Sequence, residues 1–92
     1  MEVTLDRPLE LHPDVALRPE PFGALAYHYG NRKLTFLKHP DIVRVVRTLG
    51  DHPTLRDALI TAGIAEGRWP VFERAIAALV DSEMLGERAL VG

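Results

Sequence analysis

Hydrophobic positions alternate along much of residues 15–38 and then recur every three to four residues, a pattern that predicts strands followed by helices. The clearest pair of strands flanks Gly30 and Asn31. Glycine followed by asparagine suits a two-residue hairpin turn, because Gly30 supplies the positive φ that a type II′ turn needs at its first central position. The sequence therefore predicts a hairpin over residues 24–38, with a short edge strand at residues 15–18 beside it.

This turn sets the register of the hairpin. Tyr27 then faces Leu34, and Leu25 faces Phe36, on one side of the sheet. Leu37 is the one large apolar residue of the two strands that points to the other side. Turn chemistry and side-chain alternation thus predict the same hairpin.

Three helices follow the hairpin. The first runs from Pro40, a residue suited to a first helical turn, up to Gly50. The second begins after Thr54, which opens a capping box, and closes at Gly63. The third lies within residues 70–85. This order predicts an α+β domain of winged-helix type, with a short antiparallel sheet of about three strands followed by three helices.

One domain is expected in a chain of 92 residues with 47% hydrophobic and 26% charged residues. We interpret residues 1–14 as an N-terminal arm that has room for a short strand around Leu9. Residues 15–86 form the domain, and residues 87–92 form a C-terminal tail.

The charge pattern argues against nucleic acid as a partner. The net charge is −2, and the Arg and Lys residues are scattered instead of forming one basic face. The chain has no cysteine, no run of roughly 20 apolar residues that could span a bilayer, and a charged N-terminus unlike a signal peptide. We therefore expect a cytoplasmic protein that does not bind membranes.

Candidate catalytic and metal-binding residues are few. The four histidines, at His12, His28, His39 and His52, lack the spacing of a metal motif, and Ser82 is the only serine. No glycine-rich loop follows a strand to hold phosphate. We expect a protein that is not an enzyme and that holds no metal or cofactor.

The third helix, PVFERAIAALVDSEML, carries a second apolar strip beside its core-facing stripe. At about 100° per residue, Phe72, Ile76 and Leu79 face the core. The second strip consists of small residues: Val71, Ala75, Ala78 and Ser82. Such a strip either packs closely against another helix or forms the floor of a groove, and the sequence leaves both interpretations open.

Residues 33–38 form the last strand before the helices, and in a sheet of sequential order this strand is an edge. Charges usually protect an edge strand, and here Lys33 and Lys38 stand only at its two ends. An extended peptide could add there as a further strand and contact the neighbouring helix. Alternatively, the N-terminal arm of the chain covers this edge.

The run VALRPEPFGALAYHYGNRKLTFLKHPDIVRVVRTLGDHPTLRDALITAGI, with WPVFERAIAALVDSEML after it, closely resembles one known family. This family comprises the small peptide chaperones of mycofactocin biosynthesis, stand-alone PqqD-like recognition elements for ribosomally made, post-translationally modified peptides. The likeness covers roughly residues 9–86 and is strongest at RPEPFGALAYHYGNRKLTFL.

The resemblance implies a binder that captures the leader region of a precursor peptide as an added strand. It also implies presentation of that peptide to a radical S-adenosylmethionine maturase. Carried over to this sequence, the implied peptide-binding residues are Lys33, Leu34, Thr35, Phe36, Leu37 and Lys38 on the strand and Val71, Arg74, Ala75, Ala78 and Ser82 on the helix. One departure is His39, where PqqD relatives often have asparagine, and this weakens the cap of the first helix.

Two other functions fit the predicted fold. The first is a winged-helix DNA-binding regulator, although Glu73, Asp81 and Glu83 would repel phosphates from the third helix. The second is a homodimerisation module in which the edge strand pairs with its own copy. The affinity for duplex DNA and the oligomeric state distinguish these alternatives from a peptide chaperone.

Overall fold

The computed structural model describes residues 5–87 of the chain. Its strands are Leu9–Leu11 (β1), Val15–Glu20 (β2), Gly23–His28 (β3), Leu34–Leu37 (β4) and Leu85–Glu87 (β5). Its α-helices are Pro40–Thr48 (α1), Leu55–Thr61 (α2) and Trp69–Asp81 (α3), and single 3₁₀ turns lie at Leu49–Asp51 and Glu66–Arg68. The predicted α+β class is confirmed. Of the helices within the described range, none is long and apolar enough to cross a membrane.

The strands form two antiparallel sheets. Strands β2, β3 and β4 make a three-stranded sheet in sequential order, and β1 pairs with β5. The short strand expected around Leu9 is present, and the side chain of Leu9 is fully buried. The predicted arm (residues 1–14) and tail (residues 87–92) lie partly outside the described residues, and the division of the chain at residues 15 and 86 stays a prediction.

The predicted register of the hairpin is confirmed. Tyr27 pairs with Leu34, and Leu25 pairs with Phe36. Strand β2 extends two residues beyond the predicted end at residue 18. Strand β2 includes Pro19. An edge strand tolerates proline where the missing N–H would have pointed to solvent.

The predicted two-residue turn is wrong. Gly30 does not have a positive φ, and the left-handed residue of the turn is Arg32, with φ of 61°. The His28 N–H donates to the Lys33 carbonyl oxygen at 3.0 Å, and the Arg32 N–H donates to the His28 carbonyl oxygen at 2.8 Å. The loop therefore comprises residues 29–32. A four-residue loop between His28 and Lys33 has the same register as a two-residue loop at residues 30–31, so the error leaves the pairing unchanged.

The side chain of His28 explains this longer loop. Its Nδ1 accepts hydrogen bonds from the Gly30 N–H at 3.0 Å and the Asn31 N–H at 3.1 Å. A Cβ at Gly30 would lie 2.8 Å from the His28 ring and 3.0 Å from an Asp14 carboxylate oxygen. Glycine is needed at this position for space instead of for a positive φ.

The core lies between the three helices and the inner face of the three-stranded sheet. On that face Ala24, Ala26 and Leu37 are buried, and the small alanines let the helices approach closely. The three helices and the turn after α1 contribute a shared set of buried side chains: Ile42, Val43, Val45, Val46, Leu49, Leu55, Ala58, Leu59, Trp69, Phe72, Ile76 and Leu79. The face that carries Leu34 and Phe36 therefore points away from the core.

The three predicted helices are present with small changes at their ends. Thr54 caps α2, since its Oγ1 accepts the Asp57 N–H at 3.3 Å. Helix α3 starts one residue early, at Trp69, whose buried Nε1–H donates to the Ile64 carbonyl oxygen at 2.9 Å. The helix ends at Asp81, before Gly86 as predicted, and Glu83 has a left-handed φ of 65° that separates it from β5.

Candidate binding groove

Strand β4 is an open edge within the described part of the chain. It pairs with β3 alone, and the described residues of the N-terminal arm pair with β5 and contact α2 instead. Along two antiparallel strands, residue pairs that are joined by backbone hydrogen bonds alternate with pairs that are not. His28 and Lys33 are a hydrogen-bonded pair. This alternation directs the N–H and C=O groups of Thr35 and Leu37 toward β3. The backbone groups of Leu34 and Phe36 face outward.

A groove of about 490 Å³ runs between this edge and α3. Its lining comes from β4, from the start of α1 and from one side of α3: Thr35, Phe36, Leu37, Lys38, His39, Ile42, Arg68, Val71, Phe72, Ala75, Ala78, Leu79 and Ser82. The lining is mostly apolar. An apolar groove beside outward-facing backbone groups of an edge strand is suited to an extended chain segment.

The small residues of α3 face the groove. Val71 and Ala78 are exposed, and Ala75 and Ser82 are half-buried. All four residues of the strip line the groove, so the structure matches the groove interpretation of the sequence better than close helix packing. Phe72 on the adjacent stripe closes the bottom of the groove.

Most of the residues implied by the resemblance come together here, and three do not. Lys33, Leu34 and Arg74 are exposed but do not line the groove. Five lining residues were absent from the implied set: His39, Ile42, Arg68, Phe72 and Leu79. The helical spacing already placed Phe72 and Leu79 on the core-facing stripe of the third helix. Arg68 carried no sequence signal, because it lies before α3 and reaches the groove through tertiary contacts.

An ion-pair cluster fixes the end of the groove where α1 and α3 begin. Arg68 donates to one Asp41 carboxylate oxygen at 3.1 Å, and Arg44 donates to the other at 2.7 Å. The guanidinium of Arg68 also lies 5.3 Å from the centre of the Phe72 ring. The hydrogen bond from Arg68 is the main cause that lowers the pKa of Asp41; partial desolvation opposes it, and Arg44 adds to the lowering.

The histidines do not form a good metal centre, although the fold brings His12, Asp14 and His28 together with ligand atoms within 4.8 Å of one another. The Nδ1 of His12 accepts the Asp14 N–H at 3.0 Å, and the Nδ1 of His28 accepts two backbone N–H groups. Neutral imidazoles of this kind carry their proton on Nε2. A metal at Nε2 would have to displace that proton, so these residues suit a structural role at the loop.

The fold and the groove define a small α+β domain of winged-helix type with an open strand edge beside a helix. Comparison with protein families matches residues 8–86 to the peptide chaperone MftB family. The chain is 53% identical over 75 residues to the peptide chaperone MftB of Mycolicibacterium smegmatis. These residues cover 82% of this chain and 74% of the relative. It is 50% identical over 80 residues to the Mycobacterium ulcerans protein of the same name, with 87% and 73% covered.

A third relative, the peptide chaperone MftB of Mycobacterium tuberculosis, is 49% identical over 83 residues, with 90% of this chain and 76% of the relative covered. The chain therefore belongs to the peptide chaperone MftB family. No solved structure is significantly similar to it.

Proposed function

We propose that this chain is a non-catalytic, cytoplasmic peptide chaperone of mycofactocin biosynthesis. It binds the leader region of the precursor peptide as an added strand on β4 and presents that peptide to a radical S-adenosylmethionine maturase. The observation that carries the proposal is the open edge of β4 beside the small side chains of α3. Relatives at about half identity are named peptide chaperones, which supports the same role here.

Strand addition uses the outward backbone groups of β4. Leu34 and Phe36 offer an N–H and a C=O each to a guest strand. Each such hydrogen bond contributes about 1 kcal/mol net. Burial of two or three apolar guest side chains adds about 1.5–3 kcal/mol each, and ordering of the peptide opposes both. The expected dissociation constant is about 0.1–10 μM, which suits a carrier that must release its peptide.

The groove wall of α3 receives the inward side chains of the guest. The proposed contacts on this wall are Val71, Ala75, Ala78 and Ser82, which line the groove, and the exposed Arg74 of the same helix. Small residues leave room for guest side chains that a wall of leucines would exclude. Lys33 and Lys38 mark the two ends of the paired segment.

A homodimer through β4 would use the same backbone groups, so a second copy and a guest peptide exclude each other at this edge. Sedimentation of the wild-type protein distinguishes the two. A chaperone that binds peptide through β4 is monomeric at micromolar concentration, whereas dimerisation at this edge weakens as the protein is diluted.

Ala78→Glu tests the proposal because Ala78 is exposed and lines the groove. A carboxylate at this position fills the groove without entering the core. Fluorescence anisotropy with a labelled leader-region peptide should show affinity reduced by at least about tenfold. Ala16→Glu makes the same change at an exposed site on β2, distant from the β4 edge, and should bind as wild type. Equal binding by Ala78→Glu and wild type would contradict the proposed site.

A further inference from the structure

The outer face of the three-stranded sheet exposes large apolar side chains at the β4 edge. Leu34 is 51% exposed and Phe36 is 54% exposed. Phe22, at the turn between β2 and β3, is 41% exposed and packs its ring 5.7 Å from that of Phe36. Single exposed apolar residues are common on protein surfaces, but a contiguous group of large apolar side chains is typical of a site that contacts a partner.

This apolar surface belongs to one side of the sheet. Across β3, the outer face of β2 presents Ala16, Arg18 and Glu20, and the last two form an ion pair at 3.5 Å. The sheet therefore changes from charged to apolar toward the open edge. A partner that covered the whole face would meet the charges of β2, whereas a partner at the β4 edge meets the apolar side chains of Leu34 and Phe36.

A strand added to β4 must place side chains on both faces of the sheet. Successive residues of a strand point to opposite faces, so every second residue of the guest lies on the outer face beside Leu34 and Phe36. The residues between them face the groove and α3. This alternation is the same for a parallel and an antiparallel guest.

We propose that Leu34 and Phe36, with Phe22 behind them, form a second specificity surface that contacts the outer-face side chains of the bound peptide. The inference rests on the proposed function and deepens it. Both faces of the guest then meet apolar protein. The segment that binds is a run of consecutive apolar residues about as long as the four residues of β4, instead of a strand that alternates apolar and polar residues.

The test couples changes in the protein to changes in the peptide. A synthetic leader-region peptide is substituted with serine at each position in turn, and its affinity is measured for wild type and for the double variant Leu34→Ser/Phe36→Ser. Leu34→Ser and Phe36→Ser, each made alone, should raise the dissociation constant for the unsubstituted peptide by about tenfold. Both side chains are more than half exposed, so the fold should be retained.

The pattern along the peptide identifies the surface. In wild type, serine at any position of the paired run should weaken binding. In the double variant, serine at every second position of that run should have little further effect, because the outer-face contact is already lost. Ile60→Ser is the matched control: Ile60 is 58% exposed on α2, outside the groove, and its replacement should change nothing.

Three results would overturn the inference. Unchanged affinity in Leu34→Ser and Phe36→Ser, with binding still blocked by Ala78→Glu, would leave the groove in place and remove the second surface. A wild-type dimer that Phe36→Ser converts to a monomer, without loss of peptide affinity, would assign the patch to a second copy. If wild type does not bind the peptide at all, the proposed function fails together with this inference.

Discussion

Asn31 in the hairpin loop and Ser82 at the end of α3 join the two walls of the groove. The Nδ2 of Asn31 donates to the Ser82 carbonyl oxygen at 3.2 Å and lies 3.3 Å from a carboxylate oxygen of Glu83. Its Oδ1 accepts the Lys33 N–H at 2.9 Å. One side chain thus closes the loop before β4 and ties that loop to the helix across the groove.

Replacement of Asn31 should destabilise the domain. Asn31→Ala removes the bonds to Lys33 and Ser82 and should lower the free energy of unfolding by about 1–2 kcal/mol in urea denaturation. Asn31→Asp keeps an acceptor for the Lys33 N–H but loses the donor to Ser82 and places a second carboxylate near Glu83. If the link across the groove is what matters, Asn31→Asp is at least as unstable as Asn31→Ala. Wild-type stability of Asn31→Asp would limit the role of Asn31 to closing the loop.

Gly23 should not tolerate any side chain. It has φ of 151°, and a Cβ there would collide with the carbonyl oxygen of Leu37 on the paired strand. Gly23→Ala should therefore cost about 2–4 kcal/mol of unfolding free energy and lower the melting temperature. Gly67→Ala is the control, because Gly67 has no strained φ and a Cβ there meets nothing within 4 Å. Similar melting temperatures for both variants would contradict this account of β3–β4 pairing.

The cluster around Asp41 predicts a dependence of stability on acid pH. Arg68 and Arg44 lower the pKa of Asp41 in the folded protein, so this carboxylate stabilises the fold above the pKa of the unfolded chain. That contribution should be lost as the pH falls from about 4 through the lower folded-state pKa. The His39 ring, 3.8 Å from the same carboxylate, is a further group that faces it.

Urea midpoints of wild type and Asp41→Asn, compared at neutral pH and near pH 3, measure this effect. The wild type should be more stable at neutral pH, and the difference should shrink as the pH falls below the pKa of the unfolded chain, because the lowered pKa of Asp41 then makes proton uptake favour the unfolded state. A difference that is independent of pH would mean that the ion pairs do not contribute.

The outward N–H of Phe36 should contribute to peptide binding separately from its ring. Phe36→Ser and Phe36→Pro both remove the ring, but only proline removes the N–H. Since this N–H faces away from β3, proline costs no hydrogen bond within the sheet. Phe36→Pro should bind the leader-region peptide about fivefold more weakly than Phe36→Ser in an anisotropy titration. Equal affinities would mean that the guest does not pair with this residue.

The pairing of the hairpin could be predicted from the sequence because side-chain alternation has a period of two. Any loop that keeps Tyr27 opposite Leu34 preserves this alternation, so the predicted register is correct although the predicted turn type is wrong. The turn itself depends on the buried ring of His28, which accepts two N–H groups of the loop. No local propensity rule describes that contact.

Which face of the three-stranded sheet packs against the helices could not be predicted from residue size. A rule that buries the largest side chains would turn Phe36 inward, whereas the structure buries Ala24, Ala26 and Leu37. Small residues on the inner face match the close approach of the helices, a property of the assembled fold. The strip of small residues on α3 was visible in the sequence, but whether it faced a helix or a groove depended on tertiary packing.

Amide chemical shifts of isotope-labelled protein, titrated with the leader-region peptide, test the central claim most directly. Strand addition predicts shifts concentrated on residues 34–38 and along residues 71–82, with slowed hydrogen exchange at the Leu34 and Phe36 N–H groups. A scrambled peptide of the same composition should produce neither effect. Shifts confined to other surfaces, or none at excess peptide even with the maturase present, would contradict peptide capture at the β4 edge.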